Sequence, residues 1–368
     1  MKVVTVVGTR PEIIRLSRVL ALLDDSVEHV LVHTGQNWDY RLNGIFFADL
    51  GLRMPDHVLD VDTSSLGAVM GDILRRIEPV LRDEQPDAFL VLGDTNSAIS
   101  AVMAKRMRIP VYHMEAGNRC FDENVPEETN RRLVDHVADF NLVYTEHARR
   151  NLLAEGLHPR RILLTGSPMR EVLEHYRPQI EASTILDQLQ LAPEGYVLVS
   201  AHREENVDSP ARLSALLDCL VAVRDRYALP VLVSTHPRTA KRLAELDRSG
   251  LDGITFAEPF GFHDYNKLQL RAFCVLSDSG TISEESSLLG FPAITLRSSI
   301  ERPEALDTGS IIMTDLRPDS VLAGIEAARA DHHRVEVPVD YRISDTSIRV
   351  RNFILSTAPE HRAWSGLR

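Results

Sequence analysis

Short, almost continuously apolar runs recur along this chain. Each is closed by glycine, proline or small polar residues and followed by a segment whose apolar positions fall at helical spacing. The runs at residues 3–7, 28–33, 88–92, 111–114, 142–144 and 162–165 predict strands, and the patterns at 12–23 and 66–82 predict amphipathic helices between them. Strands apolar on both faces and separated by helices mean a parallel sheet covered on both sides. The pattern restarts after Gly166-Ser167-Pro168, with strands at 197–200, 231–234, 255–256, 274–277 and 293–296 and a helix at 210–227. The expectation is two doubly wound α/β domains, residues 1–167 and 168–344, facing a cleft of the kind that ligands prefer. A tail, 345–368, is helical over 345–355 and can cross back to the first domain.

Composition narrows the function classes. With 368 residues, 44% hydrophobic and 26% charged, the chain can bury two sizeable cores. A net charge of −12 argues against binding a nucleic-acid backbone, yet leaves room for a small anion held by local arginines. The three cysteines, Cys120, Cys219 and Cys274, are odd in number and widely spaced, which reads as free thiols in a reducing, cytoplasmic setting. The apolar opening at 2–7 is too short for a signal sequence or a membrane span. No zinc-type spacing occurs, so neither metal nor cofactor is expected.

The chemistry sits where strands end. Gly93-Asp94-Thr95 follows one apolar run, and His113-Met114-Glu115-Ala116-Gly117-Asn118-Arg119, then Pro126-Glu127-Glu128-Thr129-Asn130-Arg131, follow the next. Ligands of open α/β sheets bind beyond the carboxyl ends of strands, so Asp94, Glu115 and Glu127 are placed to converge. Crowded carboxyls cannot all ionise easily, and one holding its proton suits general acid/base work. The bland alternative is a set of helix caps and solvated charges. Gly8-Thr9-Arg10-Pro11-Glu12 lacks the dinucleotide glycine spacing; Arg10 and Arg15 instead read as phosphate partners, Arg15 alternatively as a surface arginine. Small residues open a helix in Asp278-Ser279-Gly280-Thr281, an anion site for a diphosphate at Ser279, Gly280 and Thr281, with Glu285 a turn deeper for ribose hydroxyls. Ser279 alone would be a mere N-cap. His202 and His236 stand after equivalent strands of the second domain.

Together these motifs resemble the non-hydrolysing UDP-N-acetylglucosamine 2-epimerases, whose fold is GT-B-like, built of two Rossmann-like domains. The likeness rests on Gly8-Thr9-Arg10-Pro11-Glu12, Thr34-Gly35-Gln36, Gly93-Asp94-Thr95, Glu115-Ala116-Gly117, Pro126-Glu127-Glu128 with Asn130-Arg131, His202-Arg203, His236-Pro237, Asp278-Ser279-Gly280 and Glu301-Arg302-Pro303-Glu304. Gln36-Asn37-Trp38-Asp39-Tyr40, Asn118-Arg119-Cys120-Phe121-Asp122, Gly261-Phe262-His263-Asp264-Tyr265-Asn266 and Thr281-Ile282-Ser283 look closer to a subgroup acting on UDP-2-acetamido-2,6-dideoxy-L-hexoses. The resemblance implies a homodimer acting on a UDP-sugar, with Asp94, Glu115 and Glu127 as acid/base groups and His202 at the departing diphosphate. It implies substrate or UDP contacts from Arg10, Arg15, Glu128, Arg131, His236, Phe262, Ser279, Gly280, Thr281, Glu285 and Arg302. A GT-B glycosyltransferase or a non-catalytic UDP-sugar binder would share much of this frame.

The chain departs from the family at several points. Arg15 stands where a lysine is common, Leu92 where a polar residue precedes Gly-Asp-Thr, Glu204 where a second arginine follows the histidine, and Asn37 where a histidine follows Thr-Gly-Gln. Counted back from Asp94 without gaps, an arginine of the bacterial allosteric site falls at Asp72. The resemblance therefore implies that activation by a second UDP-sugar is absent or altered.

Overall fold

The structure, a computed structural model, describes residues 1–35, 46–235, 237–243 and 250–367. The chain divides into two compact units, Met1–His175 with Val339–Arg368, and Tyr176–Pro338. Gln36 to Tyr40 and His236, singled out in the sequence, lie outside the described residues.

In the first unit, β1 (Lys2–Val7), β2 (Glu28–His33), β3 (His57–Val58), β4 (Ala88–Leu92), β5 (Val111–Met114), β6 (Phe140–Val143) and β7 (Ile162–Leu164) form a parallel sheet in the order β3-β2-β1-β4-β5-β6-β7. In the second, β8 (Val197–Ser200), β9 (Val231–Ser234), β10 (Ile254–Ala257), β11 (Cys274–Ser277), β12 (Ala293–Leu296) and β13 (Ile312–Thr314) run in the order β10-β9-β8-β11-β12-β13. Both sheets are doubly wound. Strand order reverses between β1 and β4 and between β8 and β11, and these switch points are where such sheets open a crevice.

Registers align the ends of the strands. Val7 pairs with His33, Leu92 with Met114, and Ser200 with Ser277. The turns that follow each of these strands therefore leave one edge of the sheet. Every residue of β4 is buried, as expected of a central strand covered on both faces. The helix Leu66–Glu84 buries Val69, Ile73, Ile77 and Leu81, spaced by four, and each such side chain contributes roughly 1.5–3 kcal/mol when removed from water.

The structure corrects several boundaries. The strands expected at 142–144 and 162–165 are Phe140–Val143 and Ile162–Leu164, and the one expected at 255–256 spans Ile254–Ala257. Two edge strands, β3 and β13, were too short to stand out as apolar runs. The first unit continues past Gly166-Ser167-Pro168 to His175. The reason is Glu171, which accepts from Ser347 N–H at 2.9 Å and so ties the segment Met169–His175 to the start of the helix Thr346–Thr357. Thr346 Oγ1 donates to Thr165 O and Ser167 O, and Thr357 Oγ1 pairs with Tyr112 Oη at 2.7 Å, which fastens that helix to the first unit.

His33 ends β2 wholly buried, and its Nδ1 accepts from Gly35 N–H at 2.9 Å. An imidazole accepting at Nδ1 carries no proton there. Burial pushes its pKa from 6.5 down to about 4. The unfolded chain takes up this proton near 6.5 and the folded chain only near 4, so stability is level above 6.5 and falls as pH drops between the two values. The shift corresponds to about 3 kcal/mol at most. Urea melts between pH 7.5 and 4.5 should show the parent losing more stability below pH 6.5 than the His33→Gln variant; parallel losses would reject this role.

Candidate functional site

At the switch point of the first unit, the turn after β1 opens the helix Arg10–Ser26. Thr9 and Glu12 form a capping box, which fixes the turn from the sequence alone. Glu12 is buried and accepts from Gly8 N–H (2.9 Å), Thr9 N–H (2.7 Å), Thr9 Oγ1 (2.9 Å), Thr95 Oγ1 (3.0 Å) and Ser97 Oγ. It thereby joins the turn after β1 to the turn after β4. Burial raises its pKa, against the pull of those hydrogen bonds. Arg10, beside it, is half-buried, and its guanidinium lies over the Phe46 ring at 4.9 Å from the centroid. Burial lowers its pKa, and among the described residues it has no carboxylate partner.

The expected crowd of carboxyls is instead an alternation of charges. Arg15 is not a surface arginine: it is 6% exposed and its Nη1 donates to Glu115 Oε2. Asn118 Nδ2 reaches Glu115 Oε1 at 3.5 Å. Arg131 places two N–H groups on Asp94 Oδ2, at 3.0 and 2.6 Å, and a third on Glu128 Oε2 at 2.8 Å. Arg132 donates to Glu128 Oε1 at 3.2 and 3.0 Å. Burial works to raise the Glu128 pKa, but hydrogen bonds from Cys120 and the neighbouring arginines outweigh it, and the net shift is downward. Cys120 is a buried thiol that donates to Glu128 Oε2 at 3.2 Å, and burial raises its pKa, which leaves it a packing and hydrogen-bonding residue.

The turn that bears Asp94 lies against Glu115 at the sheet edge: a Cβ added at Gly93 would stand 3.4 Å from Glu115 Oε2. Glu127 is half-buried in the first turn of the helix Pro126–Val137, and makes no hydrogen bond among the described residues. Its neighbours Arg131 and Asn130 carry the contacts to Asp94, at the carboxylate and at the backbone carbonyl. Glu115 holds a φ of +63°, a left-handed conformation that costs a non-glycine residue about 1–3 kcal/mol and tends to occur at functional sites.

The second unit builds its switch point around a buried carboxylate. Asp278, directly after β11, accepts from His202 N–H at 3.1 Å, Arg203 N–H at 3.0 Å and Asn206 Nδ2 at 3.0 Å. His202 Nδ1 lies 3.3 Å from the same carboxylate, and its side chain is 41% exposed. Ser279 is not the N-cap of the helix Ile282–Leu289; Thr281 occupies that position, and Ser279 Oγ braces it by accepting from Thr281 N–H at 3.3 Å. Gly280 lies close under Glu301: a Cβ would fall 2.9 Å from its Oε1. Arg302 is fully buried, donating to Gly280 O at 2.6 Å and lying 3.3 Å from Glu284. Glu285 accepts from Gln269 Nε2 at 2.6 Å. Phe262 is buried, edge-on to Tyr176 at 5.7 Å.

Reading motifs one at a time missed the residues that organise these groups. Glu12, Asp135 and Glu301 were not singled out, and Asp278 was noted only as the start of a loop. The available signal was position: Asp278 directly follows a strand end next to the His202 turn. Among the described residues no cluster of His, Cys, Asp and Glu forms a metal site, and no helix is long and apolar enough to cross a membrane.

A family model described as UDP-N-acetylglucosamine 2-epimerase matches residues 21–355. The solved structure of a UDP-N-acetylglucosamine 2-epimerase from Rickettsia bellii superposes with a TM-score of 0.92 at 44% identity, over 98% of both chains. That of the Methanocaldococcus jannaschii UDP-GlcNAc 2-epimerase, in complex with UDP-GlcNAc and UDP, gives a TM-score of 0.91 at 32% identity, over 97% of this chain and 100% of that one. The UDP-2,3-diacetamido-2,3-dideoxy-D-glucuronate 2-epimerase of Pseudomonas aeruginosa is 32% identical over 89% of this chain and 92% of its own.

Arg131 neutralises Asp94 and Glu128 at once, and it is 3% exposed. Removing one partner of a buried ion pair strands the others, typically at about 3–5 kcal/mol. Arg131→Met should therefore lose about 3 kcal/mol of stability in urea unfolding. A loss below about 1 kcal/mol would show that this arginine does not hold the cluster.

Proposed function

The chain belongs to the UDP-N-acetylglucosamine 2-epimerase family, and from that premise we propose that it is an isomerase inverting C2 of a UDP-N-acetylhexosamine, UDP-N-acetylglucosamine to UDP-N-acetylmannosamine, without net hydrolysis. The observation that carries this reading is the pair Asp94 and Glu115. Each is held by its own arginine at the carboxyl edge of the first sheet, and Glu115 is in a strained turn.

Sugar chemistry dictates the route. No carbonyl carbon adjoins C2, so its proton is not acidic and direct removal is prohibitive. Elimination avoids the difficulty: a carboxylate takes the C2 proton, its electron pair forms the C1–C2 double bond, and the C1–O bond breaks to release UDP. A 2-acetamidoglucal and UDP remain bound. UDP then adds back at C1 while a proton arrives on the opposite face of C2. Two proton-handling groups are required, one per face, and water must be kept out.

The first unit supplies the candidates Asp94, Glu115 and Glu127. Of these, Glu127 has no arginine partner among the described residues, which suits it to exchange a proton. Arg10, a half-buried cation with no carboxylate partner there, suits a diphosphate, and Arg15 holds Glu115. Arg131 positions Asp94 and Glu128. In the second unit His202, oriented through Asp278, assists the leaving diphosphate; Ser279, Gly280 and Thr281 receive it at a helix start, and Glu285 takes ribose hydroxyls. Arg302 holds the Gly280 carbonyl, Phe262 belongs to the same binding face, and His236 is carried over from the family likeness alone. The reading includes a cytoplasmic homodimer, which sedimentation would check.

Asp72, which stands where the family's bacterial allosteric site has an arginine, is paired with Arg75 and Arg76, and the hydrogen bond from Arg75 leads in lowering its pKa to about 2. An anion there suits an absent or altered activation by a second UDP-sugar.

Asp94→Asn, Glu115→Gln and Glu127→Gln should each lower kcat by roughly 10²–10⁴-fold while UDP affinity stays within a few-fold, with products identified by NMR. Full activity in all three would reject the assignment. Offering a UDP-2-acetamido-2,6-dideoxy-L-hexose beside UDP-N-acetylglucosamine reads the sugar preference directly.

A further inference from the structure

We propose that His113 and Asp135 are positioning residues that hold Glu115 in its strained turn. This rests on Glu115 being a proton-handling group. Both side chains are wholly buried, so neither touches substrate, and any influence on the chemistry runs through what they hold.

The turn leaving β5 is pinned on both sides. Before Glu115, Gly93 N–H donates to Met114 O at 3.0 Å, and His113 Nε2–H donates to Gly93 O at 2.7 Å. A carbonyl only accepts, so Nε2 carries the proton. After Glu115, Gly117 N–H points at both Asp135 oxygens, each at 3.2 Å, and Gly117 O accepts from Asn151 Nδ2 at 2.9 Å. Gly117 has a φ of +81°, and a Cβ there would collide with Ala148 O at 2.4 Å, so the turn has no room to relax.

One carboxylate closes the frame. Asp135 receives Arg119 Nη1 at 2.7 Å, and the same nitrogen donates to Asn118 O at 2.7 Å. Asn118 in turn reaches Glu115 through its side chain. His113 Nδ1 stands 2.9 Å from Asp135 Oδ1, off the line of a hydrogen bond. Asp135 belongs to the helix Pro126–Val137 that also bears Glu127, Glu128 and Arg131. It therefore sets the Glu115 turn against the helix that presents the other acidic groups, and His113 sets it against the Gly93-Asp94 turn. Relaxation of Glu115 toward an ordinary φ would swing its carboxylate away from Arg15 while leaving the nucleotide contacts untouched.

A double-mutant cycle tests this. Asp135→Asn keeps the shape but turns an amide toward donors. In the otherwise intact chain it should lower kcat at least tenfold, with KM and UDP affinity within twofold. In the Glu115→Gln background it should add less than a twofold loss, because there is no carboxylate left to aim. His113→Gln, which keeps an N–H donor, should retain more activity than His113→Leu, and serves the same cycle if Asp135→Asn does not fold. An unchanged kcat in Asp135→Asn, or an equal loss in both backgrounds, would overturn the proposal. Full activity of Glu115→Gln alone is a different result: it would overturn the proton-handling role beneath it.

Discussion

A parallel sheet delivers the turns after its strands to one edge, and in each unit of this chain that edge is where buried carboxylates and their partners gather. The registers matter more than the strands themselves. Because Leu92 lies opposite Met114 and Ser200 opposite Ser277, Asp94 and Glu115 leave the first sheet side by side, as His202 and Asp278 leave the second. A shift of one residue in either register would turn each side chain to the other face of its sheet and break these pairings.

Charge is then placed in pairs. Asp94 and Glu128 share one arginine, and Glu115 has another. The planar guanidinium fork suits this: Arg131 spends three N–H groups on two carboxylates, which a lysine ammonium on a flexible stem would not hold in a fixed geometry. Buried pairs of this kind add little net stability, since desolvation offsets attraction. Their value lies in direction. Glu12 shows the opposite solution, a buried carboxylate satisfied by backbone and hydroxyl donors, which links two strand ends without any cation among the described residues.

Much of the fold was legible because periodicity is a strong signal where strands are long and apolar. The apolar run at 88–92 reads as a strand and is one, and the pattern at 210–227 corresponds to the helix Pro210–Tyr227. His57–Val58 and Ile312–Thr314 were not legible, being short edge strands whose existence depends on a neighbour rather than on their own pattern. Motifs pointed to residues such as Arg15 and Asp94, but not to their partners. That Arg15 reaches Glu115, one hundred positions away, is a tertiary fact, and so is the collision with the Ala148 carbonyl that reserves position 117 for glycine. The bland alternative for Ser279, an N-cap, follows from a serine standing before a helix; the N-cap is Thr281, two residues on.

The central claim is that hydrogen leaves C2 from one face and a proton returns to the other, with UDP parting and rejoining between. Running the reaction on UDP-N-acetylglucosamine in D₂O and following C2 by NMR reads this directly. The account predicts deuterium at C2 of the UDP-N-acetylmannosamine formed, with the nucleotide still attached. Inverted product that retains its original hydrogen, or no incorporation despite bound substrate, would contradict it.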